Sequence, residues 1–276
     1  MKIFLSVILI LFSSLSIYSQ ILISPYIVYT DQNNKIGNFI VQNESENNYE
    51  ISVSFTFGYP VSDSTGQILM KYFENDSSQA SSINNYIRAF PKKFILPPKK
   101  RQVIRLTIKA PDTLQPGTYW TRIITSATPY SEQIDTMQSG ITARIKFVLN
   151  QVTTCLYRVG VGESGVKISN LELVPDSGKT NLIVELERIG NSPFIGNLLV
   201  KVKDEKGNIV KTLSEYIPLY YKLLKKIQID HSDFEKGKKY ELNITAVNTE
   251  KEDLPESSIK IISVPDEKIQ FEISEE

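Results

Sequence analysis

The stretch FPKKFILPPKKRQVIRLTIKAPDTLQPGTYWTRIITSATP, residues 90–129, contains strand-like segments separated by proline-rich corners. Within it, Ile104, Leu106 and Ile108 alternate with polar residues. Alternation of this kind buries one face of a strand and leaves the other in water, as in an antiparallel sheet. The segment is basic and β-rich, and it carries no recognisable catalytic residue. It therefore predicts a sheet protein with a structural or binding role.

The same period of two recurs along the chain, with turn residues between the strands. It occurs in YEISVSFTFG (49–58), GITARIKFVL (140–149), TNLIVELERIG (180–190), NLLVKVKDEKGNIVKTL (197–213) and YELNITAV (240–247). Short strands at roughly 8–12-residue spacing are typical of β-sandwiches. We predict an all-β fold of two immunoglobulin-like β-sandwich domains, covering residues 20–155 and 156–276. Residues 204–208, DEKGN, are a turn that predicts a β-hairpin. Residues 165–176, GVKISNLELVPD, are a candidate strand pair, and residues 217–229, IPLYYKLLKKIQI, are predicted to form a strand after a bend.

The N-terminus has the pattern of a secretory signal peptide. Lys2 precedes an apolar run over residues 3–12, and small and polar residues follow up to Ser19. We expect cleavage after Ser19 and export to the periplasm. The run is too short for a membrane-spanning helix, which needs roughly 20 apolar residues, and no second run follows. No integral membrane segment is therefore expected.

Charge and cysteine content exclude some classes of protein. Without Lys2 the chain has 31 − 1 = 30 basic and 31 acidic residues. This balance argues against a nucleic-acid-binding protein, which would have a basic excess. Cys155 is the single cysteine, so no internal disulfide forms. We expect its thiol to pack as a small buried hydrophobe.

The sequence contains no arrangement that indicates an enzyme. His231, the single histidine, lies between Asp230 and Asp233, a pattern more typical of a turn than of a zinc site with three or four ligands. Nucleophile elbows, phosphate-binding loops and dinucleotide fingerprints are missing from the sequence. We predict no enzymatic activity, no cofactor and no metal.

The opening stretch carries a family resemblance. The pattern P-x-x-F-x-L-x-P-x-x-x-Q-x-I-R, from Pro91 to Arg105, resembles the first domain of periplasmic pilus-assembly chaperones, the PapD-like partners of outer-membrane ushers. GTYWTRIITSATP is similar to a strand of that domain, and ARIKFVLN (143–150) to its last strand. The resemblance implies an L-shaped pair of immunoglobulin-like sandwiches that lends an edge strand to an incomplete subunit. It also implies that one arginine and one lysine in the cleft clamp the subunit's terminal carboxylate.

The resemblance places the client-binding residues on specific positions of this chain. The cleft lysine corresponds to Lys146, beside Arg144, and the cleft arginine corresponds to Tyr26. Apolar positions of the lending strand correspond to Met137 and Ile141, with the polar Ser139 between them. Lys146 has a competing interpretation as a solvated lysine that protects a strand edge from aggregation.

One position of the family's interdomain salt bridges also differs. Family members commonly have an acidic residue at the start of the GTYW-like strand, and this chain has Thr118 at that position. The second-domain disulfide of some members is impossible with one cysteine.

These observations predict a divergent periplasmic chaperone that binds exported surface or fimbrial subunits by β-strand addition, with an outer-membrane usher as a further expected partner. The prediction requires an accessible strand near residues 134–146. The alternative is a non-catalytic secreted adhesion or surface-assembly module that uses the same sandwiches as a rigid spacer.

Overall fold

The computed structural model describes residues 21–73, 80–130, 147–249 and 259–273. Over these ranges the chain is built almost entirely of β-strands and contains no α-helix. The strands form four sheets, two in each of two sandwich units. The predicted all-β class with two immunoglobulin-like sandwiches is confirmed.

The first unit contains ten strands. They are β1 (Ile21–Ser24), β2 (Ile27–Asp31), β3 (Ile36–Asn43), β4 (Tyr49–Ser62), β5 (Ile68–Phe73), β6 (Ile87–Phe90), β7 (Lys93–Leu96), β8 (Arg101–Ile108), β9 (Gly117–Pro129) and β10 (Leu149–Val159). One sheet has the order β1-β3-β8-β6. The other has the order β2-β10-β9-β4-β5, with β7 paired to β4.

The second unit contains eight strands in two four-stranded sheets. They are β11 (Gly162–Asp176), β12 (Lys179–Gly190), β13 (Phe194–Lys203), β14 (Ile209–Leu219), β15 (Lys222–Asp230), β16 (Lys239–Asn248), β17 (Ile259–Ser263) and β18 (Asp266–Glu272). The sheet orders are β15-β12-β11-β17 and β14-β13-β16-β18. His231–Asp233 form a short 3-10 turn after β15.

Each unit has its own apolar core, formed by the inward residues of the alternating strands. Ile104, Leu106 and Ile108 of β8 are buried in the first unit, as their spacing predicted. Leu182, Val184 and Leu186 of β12 are likewise buried in the second unit. Burial of such side chains contributes about 1.5–3 kcal/mol each. The cores therefore account for folding without a disulfide.

The local predictions for the second unit have mixed outcomes. β13 and β14 form the hairpin that residues 204–208 predicted, and Asp204 caps its turn by accepting from the Lys206 and Asn208 amides. The stretch 217–229 forms the end of β14, a bend at residues 220–221 and β15. Residues 165–176, however, form part of the single strand β11 rather than a strand pair, because a bulge after Ile168 lets the chain continue along β12.

The last strand of the first unit lies later in the sequence than the pattern of ARIKFVLN suggested. β10 begins at Leu149, and Phe147 and Val148 are exposed and lie outside any strand. β10 continues past residue 155 to Val159, because its whole length pairs with β9. We therefore place the change from the first to the second unit at residues 160–161.

In the part of the chain that the structure describes, no helix has the length and hydrophobicity needed to cross a membrane.

Candidate protein-binding site

The two halves of β10 have different neighbours. Its second half, from Thr154 to Arg158, lies between two strands: β9 on one side and the parallel strand β2 on the other. Its first half, residues 149–153, pairs with β9 alone among the described residues. Within the described part of the chain this half is therefore a sheet edge, where main-chain groups would be available to another strand.

The direction of the main-chain groups follows from one hydrogen bond. The Thr154 N–H donates to the Tyr26 carbonyl at 3.0 Å, on the side of β10 that faces β2. Because the direction alternates along a strand, the N–H and C=O groups of Asn150 and Val152 point to the same side. Within the described ranges no strand pairs with them there. An incoming strand would continue the line of β2.

A shallow groove of about 360 Å³ runs beside this edge. Its lining residues are Ile21, Leu22, Ile23, Tyr26, Gln151, Val152 and Thr153, and we call it the edge groove. The Gln151 side chain crosses it, donating from Nε2 to the Ile21 carbonyl at 2.6 Å. Tyr26, one of the lining residues, is 73% exposed. Exposed apolar side chains beside unpaired main chain are the two features that β-strand addition uses.

Next to the edge groove, the inward face of the sheet is not fully covered, and two of its buried hydroxyl groups lack a hydrogen-bond partner among the described residues. Leu149, Gln151 and Thr153 lie on the same face as the inward residues of β9, to which they are paired. Leu149 is nevertheless exposed. The buried hydroxyls of Thr125 and Thr153 have no hydrogen-bond partner among the described residues. An added strand at this edge would cover apolar surface that the fold leaves open.

At the other end of β10 the second unit covers the sheet. We call this contact the interdomain seam: Phe57, Trp120, Leu156, Ile195 and Tyr220, all buried. The Trp120 ring lies 5.3 Å from that of Phe57 and 4.9 Å from that of Tyr220, measured between centroids. Its Nε1–H donates to the Gly58 carbonyl at 3.1 Å. Aromatic pairs of this geometry add about 0.5–1.5 kcal/mol beyond area burial.

Arg122 links the interdomain seam to the start of the free edge. Its Nε donates to the Gly58 carbonyl at 3.0 Å, and its Nη1 donates to the Thr154 hydroxyl. Its guanidinium lies 4.8 Å from the Tyr220 ring centroid, a cation–π contact between the units. The buried Nη2 has no hydrogen-bond partner in the described part of the chain. Arg122 thus fixes β10 at the residue where the β2 ladder begins.

Neutral polar contacts complete the seam at Thr118. The Thr118 and Ser192 hydroxyls lie 2.7 Å apart, and the Thr118 N–H donates to the Asn191 carbonyl at 3.2 Å. Gly117 has a φ of +148°, and an added Cβ would lie 3.0 Å from the Asn191 oxygen. The absence of a side chain therefore permits this close approach.

The structure places only part of the predicted client-binding set. Tyr26 lines the edge groove, immediately before β2. Lys146, Arg144, Met137 and Ile141 lie outside the described residues, as does the predicted accessible strand over 134–146. The accessible edge that the structure does describe is residues 149–153.

Several residues of this region were missed at the sequence level. Trp120 faces outward from the first sandwich but is buried by the second unit. Val152 belongs to the edge groove, and Arg122 and Thr154 hold its end. The β-branched and aromatic residues of VTTCLYRV, residues 152–159, are the sequence signal that could have indicated this strand.

Two other candidate groups are explained by packing. Cys155 is buried, and this burial raises the pKa of its thiol to about 12. His231 lies in the predicted turn, with Nε2 2.9 Å from the Thr180 hydroxyl. The described residues contain no group of three or more potential metal ligands.

Solved structures similar to this chain are chaperones of pilus assembly. A chaperone named YadV is 11% identical, with 92% of this chain and 100% of that chain covered and a TM-score of 0.45. A chaperone–tip adhesion subunit complex, CsuC–CsuE from archaic chaperone–usher Csu pili of Acinetobacter baumannii, is 14% identical, with 93% of this chain and 100% of that chain covered and a TM-score of 0.44. The SafB chaperone in complex with the SafA pilin of Salmonella enterica is 13% identical, with 84% of this chain and 92% of that chain covered and a TM-score of 0.40.

No protein-family model and no curated protein matches the chain.

Proposed function

We propose that this protein is a divergent periplasmic chaperone that binds exported surface or fimbrial subunits by β-strand addition. The observation that carries the proposal is the first half of β10, which has one described neighbour on the β9 side and the edge groove on the other. The motif from Pro91 to Arg105 supports the same role. Export by residues 1–19 places the protein where such subunits fold.

The incoming strand would lie beside Asn150 and Val152 and end near Tyr26, where β2 begins. Main-chain hydrogen bonds would supply affinity, and exposed side chains such as Leu22 and Val152 would contact the client's apolar residues. Because main-chain bonds do not depend on sequence, one chaperone can serve several clients.

A charged anchor for the subunit's terminus is a further part of the proposal. Lys146 and Arg144 are three and five residues before Leu149, the first residue of β10. Tyr26 lies at the end of the edge groove and carries the hydroxyl that would stand in for the cleft arginine. Met137 and Ile141 would contact the client upstream of β10. An outer-membrane usher would receive the complex.

The free main-chain groups of Val152 can be tested by replacing that residue. Val152→Pro removes an N–H that points away from β9, so the fold should persist while the client ladder loses a bond. We expect about tenfold less subunit in a pull-down after co-expression with a candidate exported surface subunit, since tenfold corresponds to about 1.4 kcal/mol. Asn150→Pro, with the same orientation, should act alike.

Two controls separate binding from folding. Gln151→Pro removes an N–H that points towards β9 and should lower the free energy of unfolding by about 1–3 kcal/mol. Val152→Ala keeps the N–H and should retain the subunit. Equal retention by wild type, Val152→Pro and Asn150→Pro would contradict strand addition at this edge.

A further inference from the structure

A long basic segment of the first unit contains no acidic residue. Residues 80–111 include Arg88, Lys92, Lys93, Lys99, Lys100, Arg101, Arg105 and Lys109 and no Asp or Glu. The segment supplies strands β6, β7 and β8. In a chain whose total charge is balanced, so many positive charges without an acidic residue between them in one segment are a local feature that folding does not require.

Three arginines of this segment share one solvent-facing surface with apolar side chains. In the sheet β1-β3-β8-β6, Arg105 pairs with Asn38 on one side and with Phe90 on the other. Paired residues project to the same face, which is opposite to the buried Ile104 and Leu106. Arg101 and Val103 follow on this face at alternate positions of β8.

We call this surface the arginine face; its members are Asn38, Arg88, Phe90, Arg101, Val103 and Arg105. Phe90 is 78% exposed and Val103 is 50% exposed. Between them runs a shallow groove lined also by Pro91 and Gln102. An exposed aromatic ring beside a groove and flanked by arginines has the composition of a binding hot spot.

The arginine charges are not neutralised within the face. The lysines at its margins form ion pairs, Lys93 with Glu50 at 3.1 Å and Lys99 with Glu46 at 3.0 Å. Among the described residues, none of the three arginines forms such a pair. On an outer face of the second unit, by contrast, Lys268 pairs with Glu241 at 3.8 Å. Among the described residues, the arginine face therefore carries positive charge that no acidic side chain pairs with.

We propose that the arginine face binds an acidic segment of a partner protein that carries an aromatic or large apolar residue. Guanidinium groups match carboxylates in two-point geometry, and Phe90 would contact the apolar residue of the segment. A protein segment fits better than nucleic acid, because the chain as a whole has no basic excess. This site is separate from the edge groove and does not depend on the proposed function.

The test uses a fluorescein-labelled peptide with the sequence Glu-Glu-Phe-Glu-Glu between Gly-Ser pairs, measured by fluorescence anisotropy. We expect binding that weakens as NaCl rises from 50 to 500 mM, because salt screens exposed charges. Arg105→Glu and Phe90→Ala should each weaken binding by about fivefold or more. Phe90 is exposed, so its loss should leave the melting temperature unchanged.

Matched controls assign the effect to this face. Lys206→Glu makes the same charge change on an exposed turn of the second unit and should leave peptide binding intact. Val152→Pro should also leave it intact, because the edge groove is not involved. A peptide with Lys in place of Glu, or Gly in place of Phe, should bind at least fivefold more weakly.

Three results would overturn the proposal. One is an equal loss of binding in Arg105→Glu and Lys206→Glu, which would indicate a general charge effect. Another is unchanged binding in Phe90→Ala and Arg105→Glu. The third is tighter binding of phosphatidylglycerol vesicles or of single-stranded oligothymidine than of the peptide, lost in Arg105→Glu, which would assign the face to a membrane or a nucleic acid.

Discussion

Val152 and Leu156 lie four residues apart on β10 and project to the same face of the same sheet. Val152 is 41% exposed and Leu156 is 1% exposed. Leu156 is covered by the second unit through Ile195 and Tyr220 of the interdomain seam. Val152 lines the edge groove, where no described residue of the second unit reaches. One strand is therefore both part of a fixed interface and part of an open edge.

This difference shows how the molecule combines rigidity with an accessible edge. Arg122 and the β2 ladder hold β10 from Thr154 onward. Residues 149–153, which pair with β9 alone among the described residues, are then presented on a fixed support, so binding of a client strand would cost the chaperone itself little conformational freedom. The following predictions test how sharp the boundary at Thr154 is.

The largest expected effect concerns the reactivity of thiols on the two sides of the boundary. Burial raises the pKa of Cys155 to about 12, so at pH 8 its thiolate fraction is roughly a thousandfold below that of a free thiol. Native protein should therefore react with a thiol reagent at pH 8 roughly a thousandfold more slowly than protein in urea. The variant Val152→Cys with Cys155→Ala should react rapidly without denaturant.

The same shift predicts a pH dependence of stability. The folded state holds the Cys155 proton more tightly than the unfolded state does. The contribution of this thiol to the free energy of unfolding is therefore complete below the unfolded thiol pKa and is lost as pH rises from about 9 towards 12.

For the labelling experiment, equally fast reaction of the native protein at residue 152 and at residue 155 would show that both halves of β10 are open.

A second prediction compares truncation of the two side chains. Leu156→Ala should lower the free energy of unfolding by about 2–5 kcal/mol, because it leaves a cavity in the interdomain seam. Val152→Ala should change it by about 0.5 kcal/mol or less, as expected of a surface position. Urea unfolding measures both. Similar losses in the two variants would contradict the difference in burial.

The smallest effect tests the polar contact between the units. Thr118→Ala and Ser192→Ala should each destabilise by about 1 kcal/mol. Because the two hydroxyls are bonded to each other, the double variant should lose less than the sum, with a coupling of about 0.5–1.5 kcal/mol. Additive losses in the double-mutant cycle would indicate that the units do not share this bond in solution.

The sequence was a good guide to the cores. Alternation identified Ile104, Leu106 and Ile108 in the first unit and Leu182, Val184 and Leu186 in the second, and all six are buried. It also identified the hairpin at residues 204–208. These features depend on local patterns, in which period and turn residues carry the information.

The candidate site was harder to predict because it depends on pairings between distant residues. Ile141 to Leu149 alternate well, and this led to an assignment of the last strand that ends where β10 begins. Tyr26 corresponds to a client-binding position only through the family resemblance; it lines the edge groove, and its role in binding stays a prediction. Nothing local distinguishes Arg122, whose partners Gly58, Thr154 and Tyr220 come from three other parts of the chain.

The sequence by itself determined that this is an all-β chain of two sandwiches with one buried cysteine, because alternation and turn chemistry are local properties. Only the tertiary structure decided which outward faces are closed. Trp120 and Val152 both face away from the core of the first sandwich, yet the second unit covers Trp120 and leaves Val152 uncovered. Burial of an outward face requires a neighbouring surface, and the position of that surface is set by packing between units.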